Sequence, residues 1–432
     1  MDAAGPSALD AGQSTQVNGL GARMRRFLVA DWSSRVAMGA RLLRRIALLP
    51  VLVSFEVAIL ALLWIAKCIY PGFQTGRLLY DRVGHLSDNT EVFLRRRSTD
   101  LQKRVCLFLS GTPSNHQLLK MIRRRITVVR VPDSVLKMVQ ARFQRSAERA
   151  RVWVNLKSTG DEFEEYNRIK PQLSFTPEEE ARGRALLSRM GIEPSAPFIC
   201  FHSRDGAYLR RQHTYWTAKK WQYHDYRDSE IETYLAATEY LTAQGFYAVR
   251  MGFEVPSDLL TSNPRIIDYA TRFRSDFGDM YLCGRCEFFL GSTAGICTVP
   301  YVLGRPSAFA NWIPIGVTPR YDRDLFIPKR IYSDRLGRIL SFREIVQMGA
   351  DRWNHSEWYR EAGLRVINSP SEEIRDLAEE MVLRLQGRWS EPVEAETLRE
   401  RFRAVFPADH RCRRAPLRVA SRFLLQNPEL FA

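Results

Sequence analysis

A short apolar run at residues 287–290 meets Gly291-Ser292-Thr293-Ala294-Gly295 and passes at once into a second apolar segment, 296–303. Gly304 stops that segment, and Pro306 opens a further run at 307–310. Brief apolar runs of this kind read as buried strands and the longer segment between them as a helix, with a short helix at 276–283 leading in. A strand, a turn of small residues and a helix N-terminus leave backbone N–H groups pointing outward with no side chain in front of them. That is an anion site by construction, although many α/β turns share the pattern and hold nothing. Pro300 inside the helix is expected to kink it.

The same rhythm extends in both directions. Residues 198–201 read as a strand with His202-Ser203-Arg204-Asp205 at its carboxyl end. Ser229 and Glu232 make a capping box for the next helix, and strands follow at 246–250 and 265–269. Upstream, strands are expected at 91–94, 105–109 and 126–131, with helices from Asn115 and after Pro132. Thr176-Pro177-Glu178-Glu179 caps a helix that closes at Gly191. Alternating strands and helices mean parallel sheets, hence an α/β chain of two domains, 76–192 and 193–345, followed by a mainly helical region, 346–432. In that region Pro370-Ser371-Glu372-Glu373 starts a helix, and Arg411, Arg413, Arg414, Arg418 and Arg422 form a basic tail, read as a solvated face or a membrane contact. Ligands of parallel sheets bind beyond the carboxyl ends of the strands, where His202, Arg204, Asp205, Arg250 and Ser292 to Gly295 all fall.

The 432 residues suffice for two full cores, and 45% hydrophobic with 26% charged residues is ordinary globular composition. A net charge of +16 is not ordinary and implies an acidic partner. No zinc-finger, RNP or basic-zipper pattern accompanies it, so anionic lipid and phosphorylated substrates rank above nucleic acid. Seven scattered cysteines suit a reducing compartment, and Cys283-x-x-Cys286 lacks the second pair a zinc site needs. Residues 1–22 read as a disordered tail. Within 23–75, Arg23, Arg25, Arg26, Arg35, Arg41, Arg44 and Arg45 precede the apolar run 46–70, the one segment long enough to cross a bilayer. Pro50 and Glu56 interrupt it, and an acidic side chain near mid-span costs a few kcal/mol. A spanning helix, a re-entrant or interfacial one, and a core helix all remain open; a signal peptide does not fit the long leader.

The motifs DRVGHLSDNTEVFLRR (81–96), FHSRDGAYL (201–209), HDYRDSEIETYLAATEYLTAQGFYAVRMG (224–252), IIDYATRFRSDFGDMYLCGRCEFFLGSTAGICTVPYVLGRP (266–306) and SRFLLQNPEL (421–430) resemble a family of bacterial glycosyltransferases of cell-surface polysaccharide synthesis. The resemblance runs from about Thr75 onward. His202-x-Arg204 is also loosely similar to α-1,6-fucosyltransferases, whose corresponding arginine contacts the nucleotide diphosphate. Asp205-Gly206 departs from that pattern, so GDP-fucose does not carry over. The resemblance implies a GT-B-like architecture: two Rossmann-like domains facing across a cleft, the acceptor on the first and the nucleotide-sugar donor on the second. It implies no cofactor and no metal, the leaving diphosphate being neutralised by helix dipoles and basic side chains; no DxD pair stands at a strand end.

On this reading His202, Arg204, Arg250, Asp276, Ser292, Thr293, Ala294 and Gly295 are donor-binding candidates, and Arg204 faces the departing diphosphate. His85, on a first-domain loop, and Asp205 are rival general bases for the acceptor hydroxyl. A glycan or lipid-linked acceptor and a cytoplasmic pool of nucleotide sugars place the protein on the cytoplasmic face of the inner membrane, peripheral or re-entrant, with a single-pass arrangement still open. A sugar-nucleotide epimerase or phosphorylase, or a non-catalytic membrane-associated scaffold, would share the fold.

Overall fold

The computed structural model describes residues 32–99, 104–160, 162–205, 222–415 and 417–431. The sequence expectations for the N-terminal tail and for Gly206 onward in FHSRDGAYL lie outside these residues. The chain forms two compact units. One joins the residues up to Pro71 with Val139–Val152; the other joins Gly72–Met138 with the chain from Trp153 onward.

The larger unit contains two parallel sheets. In the first, β1 (Gln74–Arg77), β2 (Cys106–Ser110), β3 (Thr127–Arg130) and β4 (Trp153–Val154) lie in the order β3-β2-β1-β4. In the second, β5 (Phe198–His202), β6 (Tyr247–Arg250), β7 (Ile266–Ile267), β8 (Phe289–Gly291), β9 (Ser307–Trp312) and β10 (Leu325–Pro328) lie in the order β10-β9-β8-β5-β6-β7. Each sheet starts at an inner strand, steps outward on one side and then returns to the other. The reversal opens a crevice beyond the carboxyl ends, between β1 and β4 and between β5 and β8. Two Rossmann-like α/β halves in series are the GT-B-like arrangement that the resemblance implies. A small antiparallel sheet of β11 (Arg330–Ser333), β12 (Arg338–Ile339) and β13 (Leu364–Ile367) follows, within and before the otherwise helical C-terminal region.

Local chemistry accounts for most boundaries. Phe198, Ile199, Cys200 and Phe201 of β5 are all buried, as in a strand covered on both faces. Asn115 caps α3 (His116–Arg123) by accepting from Leu118 N at 2.8 Å, and Thr176 with Glu179 forms the expected reciprocal box. Gly245 and Gly304, at φ 94° and 76°, close their helices in the left-handed region.

Five expectations change. Residues 91–94 are not a strand but part of α2 (Val83–Arg96), which is buried continuously from Leu86 to Arg95. A helix enclosed on all sides has no polar stripe to mark its period. His85 therefore sits on the first turn of α2 rather than on a loop. The Ser229–Glu232 box does not form, because the Ser229 hydroxyl turns back to Ser203 Oγ at 2.8 Å. The strand at 265–269 shrinks to Ile266–Ile267, with Tyr269–Arg272 already helical. The helix expected at 296–303 is α6 (Thr298–Val302), which places Pro300 in its first turn, where no N–H is needed and no kink results. The basic tail is anchored through its apolar side, with Cys412, Leu417 and Val419 buried, Val419 bridging to Phe326 of β10 and Arg422 paired with Glu379 at 2.5 Å, while Arg413 and Arg414 are exposed, as a solvated face requires.

A buried ionic network joins the two halves. Arg320, from the loop before β10, donates to Asp88 of α2 at 2.8 Å, to Ser158 Oγ at 2.8 Å and to Glu162 at 2.5 Å. Tyr166 donates to the other oxygen of Asp88 at 2.7 Å. Arg95, fully buried, binds Glu91 at 2.8 Å and reaches across to the Tyr321 hydroxyl at 3.2 Å. Burial alone would raise the Glu162 carboxyl, but Arg320 and the N–H groups of Thr159 and Gly160 hold it at about 2. Removing one partner of such a network leaves an uncompensated buried charge. Arg320→Ala should therefore lower the unfolding free energy in urea by about 3–5 kcal/mol. The Glu162 contribution should be complete above its unfolded pKa of 4.5 and disappear as pH falls towards 2, a dependence that Glu162→Gln abolishes. A loss below about 1 kcal/mol would class the network with exposed pairs.

Candidate functional site

The site is built on the crevice between β5 and β8. The loops that leave these strands are tied together: Ser292 Oγ accepts from Arg204 N at 2.9 Å, and Ser292 N donates to His202 O at 3.3 Å. A short 3₁₀ helix of two turns, Gln222–Arg227, lies against the end of β5. Its stitching is dense. Ser203 Oγ donates to Ser229 O at 2.5 Å, Ser229 N to Arg204 O at 3.0 Å, and Arg204 Nη1 to His224 O at 3.0 Å and to the Asp228 carboxylate. Lys329, directly after β10, donates to Tyr226 O at 3.1 Å and Asp228 O at 2.7 Å. The peptide from His224 to Ser229 is thus held by cations at the carboxyl edge of the sheet.

The electrostatics are crowded. Burial, then Arg227, Arg204, Arg82 and His355, push the His224 imidazole far below its usual range. Burial lowers Lys329 to about 7 against the pull of Asp228, with Arg204 and Arg227 adding to the depression. Burial also lowers Arg204, followed by repulsion from Arg227. Buried Nε of Arg227 makes no hydrogen bond. Burial raises Asp228 to about 6, which weakens the one carboxylate paired with Arg204. Arg204, Arg227 and Lys329 thus share one strand end with the carboxylates of Asp205, Asp225 and Asp228, a charged cluster of both signs whose cations could meet an entering anion.

Each predicted residue can now be placed. His202, Arg204, Asp205 and Ser292 to Gly295 come together at the crevice. His202 Nδ1 meets Met251 O at 3.0 Å; since a carbonyl only accepts, the proton is on Nδ1, and burial keeps the ring neutral. Ser292 is fully buried, with its hydroxyl committed to Arg204 N, while Thr293 donates to Ile313 O at 3.3 Å. Gly295 is exposed and meets the first turn of α2: a Cβ on Gly84 would lie 3.1 Å from Gly295 Cα and 3.2 Å from its carbonyl oxygen. Ser87 and Thr298 hydroxyls join the same two elements at 2.6 Å. His85 is exposed beside this junction. Arg250 and Asp276 have internal partners instead. Arg250 is buried against Asp268 at 3.1 Å and Ser257 O at 2.9 Å. Asp276 opens α5 (Asp276–Arg285) and accepts from His116 N at 2.8 Å, capping α3 from the other half. Among the described residues no group of three or more His, Cys, Asp or Glu side chains could hold a metal. Cys283 and Cys286 are buried beside Cys200 in the core, where burial pushes the Cys200 and Cys283 thiols up.

Lys329 and Arg82 were not singled out by the sequence. The signal for Lys329 existed: it follows the last residue of a parallel strand, as Arg204 nearly does, but residues 325–328 had not been read as one.

No protein-family model matches the chain, and no curated protein matches it. Among solved structures, it is similar to E. coli ADP-heptose lipopolysaccharide heptosyltransferase II at 12% identity, over 55% of this chain and 84% of that one, with a TM-score of 0.33. It is similar to a family 9 glycosyltransferase from Veillonella parvula at 11% identity, over 55% and 80%, with a TM-score of 0.34. The iron-containing dodecameric glycosyltransferase TibC from enterotoxigenic E. coli follows at 12% identity, over 55% and 57%, with a TM-score of 0.27.

The glycine junction makes a contrast that can be measured. At Gly84 an added methyl meets backbone at 3.1 Å, whereas at Gly295 its nearest neighbour is Val83 Cγ1 at 3.4 Å, an ordinary contact. Gly84→Ala should cost about 1–3 kcal/mol of stability through overpacking, and Gly295→Ala under about 0.5 kcal/mol. Equal losses in thermal unfolding would show that the two loops are not in contact.

Proposed function

We propose that the chain is a glycosyltransferase that moves a sugar from a nucleotide-sugar donor to a glycan or lipid-linked acceptor of surface polysaccharide synthesis, without a metal. The observation that supports this reading is the crowding of Arg204, Arg227 and Lys329 at the β5–β8 crevice, where a doubly wound sheet binds its ligand. As the nucleotide diphosphate departs, charge builds on its oxygens, and fixed cations in a partly buried site favour that state over the ground state. Arg204 supplies a planar fork of donors that stays charged at any working pH. The small-residue turn from Ser292 to Gly295 leaves backbone room beside it. His85, on the first turn of α2 in the acceptor half, takes the proton of the attacking hydroxyl; Asp205 is the rival base. Because nucleotide sugars are cytoplasmic in bacteria, the body faces the cytoplasm.

The test uses UDP, GDP, ADP and CDP as probes. One of them should raise the melting temperature, since a ligand at 100 times its Kd adds about 2.7 kcal/mol. Arg227→Gln should weaken that binding by roughly ten- to hundredfold, the range of a charge-assisted hydrogen bond, and leave the unliganded melting temperature unchanged. The pH dependence has a definite sign. Lys329 is at about 7 in the fold and 10.5 in the unfolded chain, so above pH 7 the free site lacks a proton that a bound diphosphate would restore. Binding at pH 8 should take up protons, read by calorimetry in buffers of different ionisation enthalpy, and affinity should fall as pH rises through 7. Absence of stabilisation by all four nucleotides would overturn the reading.

A further inference from the structure

The smaller unit contains α1 (Trp32–Ile69) and the second half of α4 (Asp133–Arg149). Within α1, Ala47–Ile69 is a 23-residue stretch of mean hydropathy 2.4, with only 6% of it buried. The covered positions form one stripe, Leu52, Glu56, Leu60, Leu63 and Lys67, at the spacing of a single helix face. Along it runs α4. Arg142 binds Glu56 at 3.2 Å, Arg149 binds the other Glu56 oxygen at 3.0 Å, and Lys67 donates to Ala150 O at 3.2 Å. The rest of the surface of Ala47–Ile69 is mostly apolar and exposed, Leu62 at 67% and Trp64 at 64%.

Glu56 lies nine residues into the stretch, about 14 Å along it at 1.5 Å per residue. If α1 crossed a bilayer, Glu56 would sit near the middle of a hydrocarbon layer roughly 30 Å thick, and its partners would sit there with it. Those partners belong to a helix that also carries Gln144, Arg145 and Glu148. Each charge at that depth costs a few kcal/mol, and one glutamate does not neutralise two arginines. Lying flat removes the conflict. The apolar flank of α1 then enters the lipid while Arg145 and Arg151, both exposed, stay at headgroup level. Their charge selects an anionic surface.

We infer that α1 and the second half of α4 form a two-helix anchor that lies in the plane of an anionic bilayer surface and does not cross it. The inference uses the smaller unit alone and stands or falls independently of the nucleotide-sugar reading. Cys68 is exposed and the other six cysteines are buried, so a Cys68→Ser background is silent towards an impermeant maleimide. In that background Val36→Cys and Tyr70→Cys, at exposed positions near the two ends of α1, should be labelled from the same face of sealed membrane vesicles prepared in both orientations. Labelling from opposite faces would overturn the inference, as would a full-length chain that stays in the supernatant, with α1 covered by a second copy instead. The charge component is read separately. Arg145→Glu combined with Arg151→Glu should lower partition of the purified chain onto phosphatidylglycerol vesicles by about tenfold or more and leave its weak binding to phosphatidylcholine unchanged. Equal partition of variant and wild type onto phosphatidylglycerol would overturn the anionic preference.

Discussion

One largely buried guanidinium, that of Arg320, ties the two halves of the larger unit together. Arg320 stands beside β10 of the second half, yet its donors are taken up by Asp88, Ser158 and Glu162 of the first. A charge in that position is stable only because three acceptors and the Tyr166 hydroxyl, bonded to Asp88, complete the shell. The consequence is geometric. Asp88 lies on α2, five residues past the Val83 that begins it, so fixing Asp88 also fixes the first turn, with Gly84 against Gly295 and His85 beside the crevice. A second clasp, Asp276 on His116 N with Asn115 donating back to Asp276 O at 2.9 Å, holds the far side of the same junction. Directional bonds of this kind specify one arrangement, which apolar contact alone would not.

Inside that frame the site gathers charges of both signs, Arg204, Arg227 and Lys329 with Asp205, Asp225 and Asp228. Arg204 has a carboxylate partner, but burial raises Asp228 to about 6, and Arg227 and Lys329 add positive charge within interacting range. The proposed donor site rests on these cations standing at a strand end that topology marks as a ligand crevice. Burial, ahead of the neighbouring arginines, lowers both His202 and His224.

Much of this was legible in the residues because it depends on local patterns. Phe198 to Phe201 form an unbroken buried run, so the strand and the position of Arg204 beyond it could be read directly. The turn Gly291 to Gly295 was legible for the same reason. The role assigned to its helix N-terminus was less secure, since α6 has only five residues and its first turn is fitted around Pro300. What could not be read depends on distant partners. Arg250 looks like a ligand at a strand end until Asp268 is placed beside it, and Asp276 until His116 N arrives from the other half. The partner of Arg204 is Asp228, not the adjacent Asp205. Residues 91–94 were misread because helix periodicity is invisible where every side is buried.

The central claim is that a nucleoside diphosphate binds at the carboxyl end of β5, between the β8 turn and the 222–229 segment. Hydrogen–deuterium exchange with and without the stabilising nucleotide tests it most directly. Protection should concentrate in residues 200–205, 222–229 and 290–297, with little change in β1 to β4. Protection confined to the first sheet, or to the far edge at β6 and β7, would contradict it.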